Sequence, residues 1–156
     1  MSYRAAVENL VDVIEGSTPT TMYARVKAFK HQARAVDAVS LSDQPNRARR
    51  FLVTPGGSYS LGGAMGQASE PGEVTETVTV FVIYPQGDNV HELQTVMRED
   101  LDLLAYRLRL TSLFNRESGT IERRRIVGSD LSIDETAGGT AVLTITVEHQ
   151  YRPVFT

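Results

Sequence analysis

From Val74 to Tyr84 apolar and polar side chains alternate, and after the break at Pro85, Gln86 and Gly87 the period changes from two to three or four. Val74, Val78, Val80 and Val82 fall on one side, and Thr75, Thr77, Thr79, Phe81 and Ile83 on the other. A period of two is the mark of a strand, because successive side chains leave a pleated backbone on opposite faces. Beyond the break, Val90, Leu93, Met97, Leu101, Leu104 and Leu108 recur at helical spacing, while Arg98, Glu99 and Asp102 lie off the stripe. Asn89 with Glu92 three residues on forms a capping-box-like start for this helix, which the spacing carries to about residue 111. A strand followed by a helix with one apolar stripe commits the chain to a fold in which helix packs across sheet. The end of the strand, Val80 to Tyr84, is apolar on both faces, so that end is expected beneath covering structure.

The other elements extend this α+β reading. Residues 2–15 read as a helix, with Ser2 as N-cap, Ala6, Leu10, Val13 and Ile14 as the buried stripe, and Gly16 as the stop. Met22, Val26, Phe29 and Ala33 fit a further helical stripe over 19–35, or an irregular segment. Residues 40–48 are polar and turn-rich, and 49–54 read as a strand. Two later strands, 120–133 and 140–152, flank a turn at 134–139. The second of them alternates cleanly, Ala141, Leu143, Ile145 and Val147 against Thr144, Thr146 and Glu148, which gives it one wet face. The expected architecture is a single α+β domain over residues 1–156. Its antiparallel sheet has four or more strands, with an N-terminal helix and the long helix packed on one face.

Bulk composition closes several function classes. Apolar residues make up 41% and charged residues 22%, as in ordinary globular chains. A net charge of −3 argues against general binding to nucleic acid or a membrane surface, which calls for a basic excess. No apolar run reaches the roughly 20 residues that span a bilayer, and residues 1–12 lack the apolar core of a secretion signal. The absence of cysteine removes disulfides, thiolate nucleophiles and thiolate metal sites. A cytosolic product is the simplest expectation. Fourteen of the sixteen basic residues are Arg, a bias shared by protein interfaces and by GC-rich genomes.

Two segments stand out as candidate sites. Residues 55–73 hold six of the twelve glycines without the Gly-Lys-Ser/Thr ending or the following helix of a phosphate loop. Loops beyond about 12–15 residues are usually functional or disordered. We therefore expect an arm that orders against a neighbouring subunit through Gly57, Tyr59, Leu61 and Met65, with a floppy insertion as the plain alternative. Arg123, Arg124 and Arg125 are consecutive on a strand and should point to both faces. The hairpin 120–140 is thus expected to project beyond the core, with these three at an intersubunit contact. A nucleic-acid patch joined by Arg47, Arg49 and Arg50 is a competing reading, and an ordinary solvated arm is the plain alternative. His31, His91 and His149 have no metal-ligand spacing and read as surface or partly buried imidazoles. Glu99, Asp100 and Asp102 read as a solvated helix face, and no Gly-x-Ser-x-Gly elbow occurs. Phe51, Phe81 and Tyr84 read as core, since the RNA-stacking pattern is missing. No catalytic residue, metal site or cofactor is expected.

The N-terminal helix, the strand before a long flexible loop, Val80-Phe81-Val82-Ile83-Tyr84, the capped long helix and the closing hairpin together resemble the tail terminator (tail completion) proteins of long-tailed bacteriophages. The resemblance covers residues 45–155 in layout and rests on pattern, without a diagnostic motif. It implies helices on one side of an antiparallel sheet and a homo-oligomeric ring, a hexamer, that caps the tail tube. Such a ring stops tube polymerisation and presents a surface to the head. The partners implied are other copies of the chain, the tail-tube protein and a head–tail connector or neck protein, with genomic DNA passing through the lumen and no membrane. Its place would be the head-proximal end of the tail in the virion, after assembly in the host cytoplasm. Connector and tube proteins of the same particle share these features and are the alternatives within the family reading, beside a small nucleic-acid-binding module.

Overall fold

The computed structural model describes residues 2–32, 48–62, 72–87, 89–110, 113, 121–133 and 139–152. Helix α1 (Tyr3–Glu15) leads to the two-residue strand β1 (Lys30–His31), then β2 (Arg50–Gly62), β3 (Glu73–Pro85), helix α2 (Val90–Leu108), β4 (Ile121–Ile133) and β5 (Thr140–Tyr151). The five strands form one sheet in the order β1-β2-β3-β5-β4. All neighbours are antiparallel except β1 and β2, which run parallel. The chain is an α+β fold of the expected kind, with a parallel margin strand that its two residues were too few to announce.

Both helices start where their caps place them. The Ser2 side chain accepts from the Ala5 amide at 3.1 Å, and the Asn89 side chain accepts from the Glu92 amide at 3.1 Å. Each bond satisfies one of the amides that a helix N-terminus leaves open. Both helices lie on the same face of the sheet. There Leu10, Val13 and Ile14 of α1 and Leu93, Val96, Met97, Leu101, Leu104 and Leu108 of α2 meet Val78, Val80, Val82, Leu143, Ile145 and Val147. Burying each such side chain is worth about 1.5–3 kcal/mol. Val90, the first residue of the stripe read from sequence, is exposed. Ile83 and Leu52 are buried on the other face, as the two-sided apolar run Val80–Tyr84 requires.

Two expectations are corrected below, and the choice left open over 19–35 falls to the irregular segment. Among the described residues of 19–35 there is no helix. Tyr23 and Val26 form an antiparallel bridge around Ala24 and Arg25, whose φ angles of 48° and 65° are left-handed. The spacing of Val26 and Phe29 reflects separate anchors of an irregular chain, and Met22 is exposed.

The glycine-rich segment is strand over its described residues 55–62. β2 continues to Gly62, with Tyr59, Ser60, Leu61 and Gly62 opposite Glu76, Thr75, Val74 and Glu73. A register shift between Pro55 and Tyr59 takes up the two central glycines, and a Cβ at Gly56 would lie 2.5 Å from the Thr77 carbonyl oxygen. Glycine there permits the close backbone approach that keeps the strands paired. Met65 lies outside the described residues.

Over its described residues the hairpin 120–140 lies within the sheet, since β5 pairs in turn with β3. β4 pairs with β5 along its whole length, from Ile121 opposite Tyr151 to Ile133 opposite Ala141, and is one margin of the sheet.

Candidate functional site

Of two bulges in β4, at Ile121/Arg123 and Ile126/Gly128, the first decides where its arginines point. The first leaves Glu122 without an opposite residue, so the side chains after it change face by one step. Arg124 therefore stands opposite His149 on the helix side, while Arg123 and Arg125 stand opposite Gln150 and Glu148 on the other. Arg124 is 2% exposed and ties the margin strand to α1, donating to the Asn9 side-chain oxygen at 2.8 Å and to the Ala6 carbonyl at 3.3 Å. Burial lowers its pKa to about 10, so it stays charged at neutral pH. This corrects the expectation that all three arginines lie outside the core. Arg123 is exposed, and half-exposed Arg125 pairs with Glu148 at 3.1 Å.

Between this strand and the end of α2 lies a cleft of about 500 Å³ lined by Ala105, Arg109, Arg123, Arg124, Arg125 and Ile126. Four arginines, Ala105 and Ile126 line it, and none of the described lining residues is acidic. Arg109 bends back on its own helix, donating to the Ala105 carbonyl at 3.2 Å, where a cation complements the partial negative charge of a helix C-terminus. Tyr106, one turn's neighbour on the same helix end, is 58% exposed.

Behind Arg124 a polar row crosses the sheet. Tyr59, Glu76, His149 and Arg124 are successive register partners on β2, β3, β5 and β4. Nε2 of His149 lies 2.8 Å from Glu76 Oε1, and the imidazole is fully buried. Burial lowers the His149 pKa and Arg124 adds to that, against Glu76. The neutral ring donates from Nε2 to the carboxylate, and Nδ1 has no hydrogen-bond partner. Burial also raises the Tyr151 phenol, whose hydrogen bond to Glu76 adds to the shift. It raises Tyr3 too, with Glu76 contributing. With His149 at 0% and Glu76 at 6% exposure, this pair is closed to a reactant, and the effect of the row is to hold the start of α1 on the sheet. The expectation of a surface or partly buried imidazole is corrected for His149. His91 is exposed, and His31 is half-buried, with its ring 5.2 Å from that of Phe51.

A second buried cluster joins α2 to the start of β2. Arg49 donates from Nε to Asp100 Oδ2 at 2.7 Å and from Nη2 to Oδ1 at 3.0 Å, and its Nη1 reaches the Val26 carbonyl at 2.6 Å. The Tyr84 hydroxyl also donates to Asp100, at 2.7 Å. Burial, with Asp100 adding to it, pushes the Tyr84 phenol well above its ordinary value. Arg49 and Asp100 are 0% and 1% exposed, so Asp100 is no part of a solvated face and Arg49 no part of a basic patch. Arg47 lies outside the described residues. Glu99 and Asp102 are exposed as expected, with Glu99 accepting from the Thr21 hydroxyl at 2.7 Å. Arg49 adopts a left-handed φ of 58°, which its three-way anchoring sustains.

Of the expected interface residues, Gly57, Tyr59, Arg123 and Arg125 are exposed, Leu61 stands opposite Val74 in β2, and Arg124 is interior. Tyr59 and the arginines occupy opposite margins of the sheet. Ala105, Arg109 and Ile126 escaped the sequence reading, although a helix-terminal arginine beyond the apolar stripe was the available signal. Among the described residues no three His, Cys, Asp or Glu side chains gather as a metal site. No described helix is long and apolar enough to cross a membrane.

No family model matches the chain, and no curated protein does. One solved structure, of a protein whose name states no function, covers 100% of this chain and 99% of its own at 17% identity and a TM-score of 0.42. That likeness is too distant to carry an argument.

Proposed function

We propose that the chain is a structural subunit of a homo-oligomeric ring of the tail-terminator kind, a hexamer that caps a phage tail tube at its head-proximal end. In this reading it works by assembly rather than by turnover, and it contacts the tube protein on one side and a connector or neck protein on the other. Genomic DNA passes through the lumen. The observation that supports it is the unlikeness of the sheet's two margins. On one side β1 covers only Arg50 and Phe51, and the rest of β2 has no further strand partner among the described residues. On the other side β4 offers a full-length margin beside an arginine-lined cleft. A ring needs a heterologous contact in which two different patches meet and the rotation closes.

Light scattering over a concentration series gives the absolute mass. A defined multimer, the hexamer, is the expected product. Electron microscopy of particles made without the protein should show overlong or uncapped tubes. A chain that stays monomeric at every concentration, alone and with tubes, overturns the reading.

A further inference from the structure

The two margins carry features that fit one another. Tyr59 is 66% exposed, the most exposed of the large apolar side chains among the described residues. It is presented by a paired strand, opposite Glu76, at the part of β2 that β1 does not cover. A ring held on a strand loses little freedom on docking, which is why rigid aromatics serve as anchors at interfaces.

The cleft at the opposite margin has apolar walls in Ala105 and Ile126, with Arg109 of α2 and the margin residues Arg123 and Arg125 also in its lining. Arg124 at its back is already bonded to α1, and Arg125 is already paired with Glu148. Such a lining suits an aromatic ring better than a free anion. The ring can rest on the apolar walls and take a cation over its face, while the hydroxyl stays at the wet rim. About 500 Å³ accommodates a tyrosyl side chain with the backbone that carries it. The bulges and charges of β4 discourage strand-to-strand pairing along this margin, so a joint here is made by side chains.

We propose that Tyr59 of one copy seats in the cleft between α2 and β4 of the next. This contact rests on the ring reading and supplies its subunit joint. Since β2 and β4 lie on opposite sides of the sheet, the contact is head-to-tail, and each copy gives a tyrosine one way and a cleft the other.

The chain contains no tryptophan, so Tyr59→Trp in the full chain provides a lone indole. Its emission should shift to the blue in step with the mass measured by light scattering. Adding Arg109→Glu and Arg123→Glu should abolish both changes. Without the indole, Tyr59→Ala and the double arginine variant should each remain monomeric, with circular dichroism and melting like the parent. Mixed in equal amounts, they should form a dimer and nothing larger, because only one intact cleft and one intact tyrosine remain per pair. Three results would sink the contact while leaving the ring standing: assembly of Tyr59→Ala like the parent, emission that stays water-exposed as mass rises, or a mixture that stays monomeric. Saturable binding of inorganic phosphate that is lost in the arginine variant, with parental assembly untouched by phosphate, would reassign the cleft to an anion. A parent chain that is monomeric throughout overturns the contact and the ring together.

Discussion

Asp100→Ala tests whether the interior is organised around the Arg49 ion pair. The carboxylate accepts two bonds from Arg49, at 2.7 and 3.0 Å, and one from Tyr84, at 2.7 Å. Removing it leaves a guanidinium at 0% exposure with its charge uncompensated and a phenol without its acceptor. Breaking a buried pair in this way costs about 3–5 kcal/mol, far more than the pair contributes over a well-packed apolar replacement. With a urea slope of about 2 kcal/mol per molar for a domain of this size, the midpoint should fall by about 1.5–2.5 M. Urea unfolding followed by circular dichroism measures it. Replacing both partners, Arg49→Met with Asp100→Leu, should cost much less than the sum of the single changes, because no stranded charge remains. The reasoning fails if Asp100→Ala costs under about 0.5 kcal/mol, the range of surface changes, or if the two single costs add.

The remaining expectations are narrower. Leu104→Ala, at a fully buried position of α2, should cost about 2–5 kcal/mol in the same unfolding assay. Gly56→Ala should cost about 1–3 kcal/mol, since its Cβ would press on the Thr77 backbone; a neutral result would mean the strands separate there freely. The folded pKa of His149 lies below its unfolded value of about 6.5. The unfolded state therefore takes up the proton first, and stability should decline as pH falls below about 6.5. His149→Gln should flatten that part of the stability–pH curve, whereas a curve of unchanged slope would place the titration in other groups.

The fold was legible wherever a period ran long enough to average over exceptions. The stripe from Leu93 to Leu108 and the alternation of β3 and β5 are such runs, and the structure buries nearly the residues they name. Failures came where one residue changed the count or one partner was distant. The bulge at Glu122 moves Arg124 inward, and no local feature of three consecutive arginines announces which of them turns. Asp100 sits between Glu99 and Asp102, both exposed. Only the distant Arg49, 51 positions away, separates its fate from theirs. The composition of 55–73 implies a loop, yet Gly56, Gly57 and Gly62 lie within β2, where pairing of Tyr59–Gly62 with Glu73–Glu76 outweighs their entropy.

The same bulge bears on how the margin could work. Had β4 kept a regular register from Ile121, Arg123 and Arg125 would both have faced the interior, and Arg124 would have faced outward. The extra residue instead places the inward guanidinium beside Asn9 and the Ala6 carbonyl, so the margin strand is fastened to α1 through side chains. Its two neighbours in sequence are thereby held on a strand anchored from within, and they face outward as a pair with one residue between them. An exposed arginine on a free loop would lose much of its conformational entropy on binding. Arg123 and Arg125 have lost part of it already, which favours a contact made at this margin over one made by a mobile arm.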